Sequence, residues 1–198
     1  MSDGAARFYA RYPRVWHVIE ADGAGPWLSE TGLLPAAVLF ELAGLPDDGA
    51  NRDDFRRVPF EEQRIAVVRP QLMNDARLLP TLAGSFAGNP TAWRRHVNAH
   101  VFFWAEERRR DAFMRACMRL RGRRGTPPRV LAIDSAILLE RHGANAFFAR
   151  INTGSTMRGG GRVRRDDDTL APVSAYRSGP VAELAIRRPV ALDNARIL

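Results

Sequence analysis

The chain has 198 residues, 45% hydrophobic and 26% charged, which suits one compact domain (1–198) with its own core and excludes a disordered or fibrous chain. A single cysteine, Cys117, excludes an internal disulfide. No Cys/His group has zinc spacing and no apolar run reaches membrane-span length, so a cytoplasmic protein with no metal and no membrane partner is expected. The net charge is +8, the pI about 11.1, and all 30 basic residues are arginine. A coding bias toward arginine accounts for most of that. The clusters at 108–110, 119–124 and 158–165 also suit a polyanionic partner, because a guanidinium grips phosphate with parallel hydrogen bonds.

Residues 1–13 read as a short tail or helix ended by Pro13. The run 15–19, Val-Trp-His-Val-Ile, is β-branched and aromatic and predicts a buried strand. Asp22, Gly23, Gly25 and Pro26 mark a turn. The span 27–31 predicts a short helix closed by Gly32, and 35–42 an apolar-faced helix stopped by Gly44. The polar stretch 46–60 predicts a surface loop, and the apolar run 65–68 is too short to type. A helix is predicted over 74–82. Asn89 and Pro90 open another, through Trp93 to Val97, with a capping side chain and an N-terminal proline.

A second buried strand is predicted over 101–104, and an amphipathic helix over 106–120, where Phe113, Cys117 and Leu120 recur at helical spacing. Residues 122–128 break it. There follow a strand over 129–133, a helix capped by Asp134 and Ser135 that runs to His142, and a strand over 146–151. A loop rich in Gly, Ser, Thr and Arg spans 152–165, and a last strand spans 181–186. Short strands scattered among helices, without regular βαβ alternation, give an α+β fold.

Three blocks carry chemistry-bearing residues in apolar surroundings. They are Trp16-His17-Val18 followed by Thr31-Gly32-Leu33-Leu34; Asn98-Ala99-His100-Val101-Phe102-Phe103-Trp104-Ala105; and Val181-Ala182-Glu183-Leu184-Ala185-Ile186. Taken singly, a strand histidine is more often a core residue than a ligand, an aromatic run is most simply packing, and a glutamate opening a strand is most often a rim residue. Together, a histidine, an aromatic wall and a late glutamate on separate strands can converge on one pocket. There is no Walker loop and no His-Glu-x-x-His helix. Gly159-Gly160-Gly161 lacks a strand–turn–helix setting, and Ser155 lacks a nucleophile elbow.

The order of the blocks resembles the NAD-binding motifs of ADP-ribosyltransferases of the diphtheria-toxin-like lineage. It is most similar to the bacterial DNA-modifying ADP-ribosyltransferase toxins. The resemblance implies a split β-sheet with flanking helices around a cleft for NAD, used as co-substrate. It implies that His17, with Val18, bonds an NAD ribose, that Gly32 and Leu33 pack behind it, and that Phe103 and Trp104 shape the nicotinamide pocket. Glu183 is then catalytic with His17. A carboxylate at the ribose 2′-OH stabilises the oxocarbenium ion that forms as the C1′–N bond breaks, as in glycoside hydrolysis. Where the toxins carry an asparagine after the first strand, this chain has Asp22-Gly23-Ala24-Gly25.

The resemblance and the arginine clusters together give a nucleic acid, DNA or RNA, as acceptor. Asn98, Arg108, Arg109, Asn152, Thr153 and Arg158 are the candidate substrate contacts, and an antitoxin or an ADP-ribosyl hydrolase is the candidate protein partner. The alternatives are a noncatalytic nucleic-acid-binding module on the same fold, supported by charge alone, and an NAD-dependent RNA 2′-phosphotransferase. The strings Asn-x-x-Val-Phe-Phe-Trp and Ile-Asn-Thr-Gly also resemble a family of uncharacterised bacterial proteins, which implies no activity.

Overall fold

The structure, a computed structural model, describes residues 1–21, 28–61, 64–121, 126–156, 163–192 and 196–197, with backbone alone for 121, 196 and 197. The turn expected over 22–26, most of the break after 121, and Arg158 lie outside the described residues.

Seven of the described strands form one sheet. In chain order they are β1 (Arg14–Ile19), β4 (Val101–Trp104), β5 (Arg129–Asp134), β6 (Ala146–Ala149), β7 (Ala171–Pro172), β8 (Glu183–Ile186) and β9 (Arg196–Ile197). The numbers β2 (Arg56–Phe60) and β3 (Arg64–Val68) belong to a separate hairpin. The sheet order is β7-β6-β8-β4-β1-β5-β9, and every registered pair is antiparallel. This is a mixed α and β molecule built on a large antiparallel sheet.

Helices cover both faces, because alternate residues of each buried strand point opposite ways. On one face, α1 (Asp3–Arg11) and α7 (Ser135–His142) pack Phe8, Leu138 and Leu139 against Val15, Phe103, Leu131, Phe148 and Leu184. A fully buried side chain of this size contributes about 2 kcal/mol. Ser2 caps α1 by accepting from the Ala5 amide, and Asp134 caps α7 by accepting from the Ala136 amide. On the other face, α6 (Glu107–Arg121) sets Phe113 and Met114 against Trp16, Val18, Trp104, Val130 and Ala132. The short helix α2 (Leu28–Thr31) ends at Gly32, whose φ of +76° and close approach to the Val190 carbonyl admit no side chain.

The loop expected over 46–60 contains a strand. Within β2, Val58 and Phe60 are buried at a spacing of two, while Arg56, Arg57 and Pro59 are exposed. The hairpin turns at Glu61, which has a positive φ, and β2–β3 share a small core with Leu39 and Phe40 of α3 (Ala36–Leu42). The helix expected over 74–82 is α-helical only as α4 (Asp75–Leu78) and tightens to a 3₁₀ turn at Leu79–Thr81, where Pro80 removes a donor. The helix α5 (Pro90–Asn98) is capped by Asn89, whose side chain accepts from the Ala92 amide. Strand β6 stops at Ala149 and β8 starts at Glu183, each shorter than expected. Among the described residues, no helix is long and apolar enough to cross a membrane.

Candidate functional site

Glu183 opens β8 in the middle of the sheet. It registers with Trp104 of β4 on one side and Ala149 of β6 on the other. The residue is 4% exposed, and its Oε2 accepts two hydrogen bonds from one residue: the Thr153 amide at 3.0 Å and Thr153 Oγ1 at 2.8 Å. Burial pushes the carboxyl up to about 7, against the pull of the Thr153 donors and of the Arg109 and Arg165 charges. This is a carboxyl poised to gain or lose a proton near neutrality.

The loop that delivers Thr153 is pinned at several points. Asn152 Oδ1 accepts from the Gly154 amide, a local turn that aims the Thr153 amide. Ser155 bridges to Leu72, and the Thr156 amide and hydroxyl both donate to the Leu72 carbonyl. Arg165, fully buried, donates to the Ser155 and Val163 carbonyls. Sequence alone gave no sign that a loop threonine and a glutamate thirty residues later are bonded.

His17 sits at a parting of the sheet. β1 registers with β5 at six pairs, from Arg14↔Asp134 to Ile19↔Arg129, but with β4 at one, Trp16↔Trp104. Beyond that pair the strands separate, and His17 Nδ1 reaches the Phe102 carbonyl at 2.7 Å. A carbonyl only accepts, so Nδ1 carries the proton. Burial, helped by the Arg69 charge and opposed by the bond to the Phe102 carbonyl, holds the imidazole pKa down at about 4. The ring is therefore neutral at physiological pH, and Nε2 is an acceptor.

A family model for a family of unknown function, DUF7002, matches residues 13–191. The chain belongs to that family. The match runs from just before β1 to past β8 and takes in His17, Trp104, Thr153 and Glu183. No curated protein and no solved structure matches the chain.

The remaining expected site residues divide into those near Glu183 and those committed elsewhere. Trp104 faces the same side of the sheet as Glu183, its register partner, and packs against Phe113 with ring centroids 5.1 Å apart and planes tilted by 45°. Phe103 points the other way, into the main core, with the His17 ring 5.6 Å away. Strand alternation thus sends His17 and Glu183 to opposite faces, and the two share no hydrogen bond. Val18 is buried beside Val130. Gly32 and Leu33 pack on Val190, with Leu33 exchanging backbone hydrogen bonds with it. Asn98 is buried, and its amide is taken up by Arg52, Gln71 and Asp47. Arg108 and Arg109 both donate to Glu106 Oε2, with side chains 77% and 33% exposed, and only Arg109 bears on Glu183.

One pair was not anticipated. Arg69 Nε donates to Glu20 Oε1 at 2.6 Å, and Glu20 is buried. The Arg69 guanidinium lies 5.1 Å over Phe113, and among the described residues its buried Nη2 has no hydrogen-bond partner. The available signal was Glu20 itself, a charge directly after a buried strand. An open depression of about 410 Å³ lined by Arg110, Asp111, Met114, Arg115 and Val130 lies elsewhere and includes neither Glu183 nor His17. Among the described residues, no group of His, Cys, Asp or Glu could hold a metal ion.

Proposed function

We propose that this chain transfers ADP-ribose from NAD to an acceptor and releases nicotinamide, with the reaction where β8, β4 and β1 meet. One observation carries the reading: a row across three adjacent strands, in which Glu183 registers with Trp104 and Trp104 with Trp16, the neighbour of His17. Two strand spacings of ~4.8 Å put the backbones at Glu183 and Trp16 about 10 Å apart, with His17 the next residue along β1. In a continuous sheet the two side chains would be divided by its plane. With β4 paired to β8 along its whole length and His17 bonded across the β1/β4 seam, the reading requires a ligand that passes the seam to meet both side chains.

The side chains suit the parts of NAD they would meet. His17 Nε2 accepts a hydrogen bond from a ribose hydroxyl. Arg69, whose charge acts on His17 and whose buried Nη2 has no partner among the described residues, supplies positive charge for the pyrophosphate. Trp104 gives the nicotinamide a flat apolar neighbour next to Glu183, and Phe103 backs the strand from the core. Glu183 accepts the 2′-OH hydrogen bond. Its negative charge stabilises C1′ as the bond to the nicotinamide nitrogen breaks and that nitrogen leaves with the electron pair. The acceptor oxygen or nitrogen then bonds to C1′, and its proton passes to Glu183, whose affinity for a proton near pH 7 fits that task.

A nucleic acid is the acceptor class that the surface favours. Arg108, Arg115 and Arg119 are exposed on α6 at intervals of seven and four residues, a single stripe along the helix. The same stripe supports the second reading, a noncatalytic nucleic-acid-binding module. One experiment divides them: nicotinamide release from NAD by the wild type and by Glu183→Gln, with and without single-stranded DNA and RNA. Release by the wild type that collapses in the variant supports transfer. Equal release by both removes Glu183 from the chemistry. Salt-sensitive binding of DNA or RNA with no NAD turnover favours the binding module.

A further inference from the structure

We propose that Thr153 is the positioning residue for Glu183, its amide and hydroxyl holding Oε2 so that Oε1 alone is presented to a reacting group. The catalytic consequence rests on the transferase reading above; the hold on the carboxylate does not.

The geometry is specific. A carboxylate oxygen has two lone pairs, and both on Oε2 are filled by Thr153, from the amide at 3.0 Å and the hydroxyl at 2.8 Å. Among the described residues, none donates to Oε1. A single residue supplying two donors to one oxygen fixes both the position and the rotation of the carboxyl plane. It also assigns the labile proton: when Glu183 is protonated, the proton sits on Oε1. Thr153 is itself 1% exposed, and the loop around it is tied down at Asn152, Ser155, Thr156 and Arg165. The clamp is therefore built into the scaffold.

The charge environment separates the threonine from its neighbours. The groups facing Glu183 from the packed elements are Arg109 from α6, Arg165 from the segment closing the loop, Trp104 from β4 and Ala149 from β6. The two arginines act through their field, whereas Thr153 acts through direct bonds to the ionised form. Removing the hydroxyl alone should make that form harder to reach and let the carboxyl rotate.

The test uses Thr153→Val, which keeps the shape and removes the donor, with Thr153→Ser and Thr153→Ala beside it. The protonation of Glu183 is followed by infrared titration of the carboxyl band in protein without NAD, assigned by its absence in Glu183→Gln. Thr153→Val should move the midpoint up by about one pH unit, matching loss of one charge-assisted hydrogen bond. Thr153→Ser should restore the wild-type midpoint. If Thr153→Val does not fold, Thr153→Ala carries the same expectation. An unchanged midpoint in the valine or alanine variant, or failure of serine to restore it, overturns the proposal.

Nicotinamide release then reads the catalytic part: about tenfold lower kcat at pH 7 in Thr153→Val with KM for NAD little changed, and recovery in Thr153→Ser. A shifted carboxyl midpoint with no nicotinamide release from any protein, wild type included, supports the clamp and sinks the transferase reading instead.

Discussion

Glu183 and His17 stand on strands separated by one other, β4, and burial acts on both, yet it leaves them in different states. Burial favours the uncharged form of each. For Glu183 that raises the pKa to about 7, and for His17 it lowers it to about 4. At neutral pH the carboxyl is divided between its two forms while the imidazole is neutral. The difference lies in where each group starts: a carboxyl raised from 4.5 moves toward neutrality, an imidazole lowered from 6.5 moves away from it, and the partners only moderate those shifts. Glu183 has two donors and two arginines that favour its charge. His17 has one carbonyl and an arginine of the charge it would itself carry. Only Glu183 can move a proton near pH 7; His17 is a fixed acceptor.

The largest expected effect breaks the comparison at Glu183. On the transferase reading, Glu183→Gln keeps the shape, loses the charge, and lowers nicotinamide release at least about 100-fold. The same reading requires wild-type release to rise with pH through about 7 as Glu183 ionises. Stability moves the opposite way. A carboxyl whose folded pKa lies above its unfolded value stabilises the fold below the unfolded value, and that contribution is lost as pH rises through about 7. At pH 8 Glu183→Gln should therefore be more stable than wild type, by up to roughly 3 kcal/mol for a fully buried group. Urea unfolding at pH 5 and pH 8 measures it. A variant less stable than wild type at pH 8 would mean that the carboxylate is better satisfied than its burial suggests.

His17 gives the mirror image. Its folded pKa lies below the unfolded value, so its contribution is present above about 6.5 and is lost as pH falls through about 4. His100, also held at about 4 by burial, adds to the same acid limb. His17→Gln retains an amide donor for the Phe102 carbonyl and removes the titration. Its stability should fall less between pH 7 and pH 4 than that of wild type, by roughly 3 kcal/mol. An acid limb identical to wild type would show that the His17 ring is more open to water than its place in the seam implies.

The two residues also differ in how much of their setting was legible. The strands that carry them could be read as short buried apolar runs, and so could β4, β5 and β6. The hairpin β2–β3 could not, because Arg56, Arg57 and Pro59 outnumber the buried Val58 and Phe60 in the run they interrupt. At the site, residue types were readable but orientation was not. Phe103 and Trp104 are adjacent, so they face opposite sides of β4. Which one joins Glu183 depends on a register set by residues eighty positions away. Asn98 reads as available from the sequence, but Arg52, Gln71 and Asp47 occupy its amide. Such long-range pairings, with Arg69–Glu20 and Thr153–Glu183 among them, leave no periodic trace.

The smallest expected effect sharpens the electrostatic half of the comparison. Arg108 and Arg109 are adjacent on α6 and donate to the same oxygen of Glu106. Replacing either with glutamine disturbs Glu106 in a similar way, so each variant is the other's control. Arg109 is the less exposed, and its charge favours the ionised form of Glu183. Arg109→Gln should raise the Glu183 midpoint by a few tenths of a pH unit, and 0.5 M salt should shrink the shift, because a partly exposed charge is screened. Arg108→Gln should leave the midpoint where it is. Equal shifts from both would trace the effect to Glu106 and the start of α6, and the poise of Glu183 would then rest on burial and Thr153 with little help from charge.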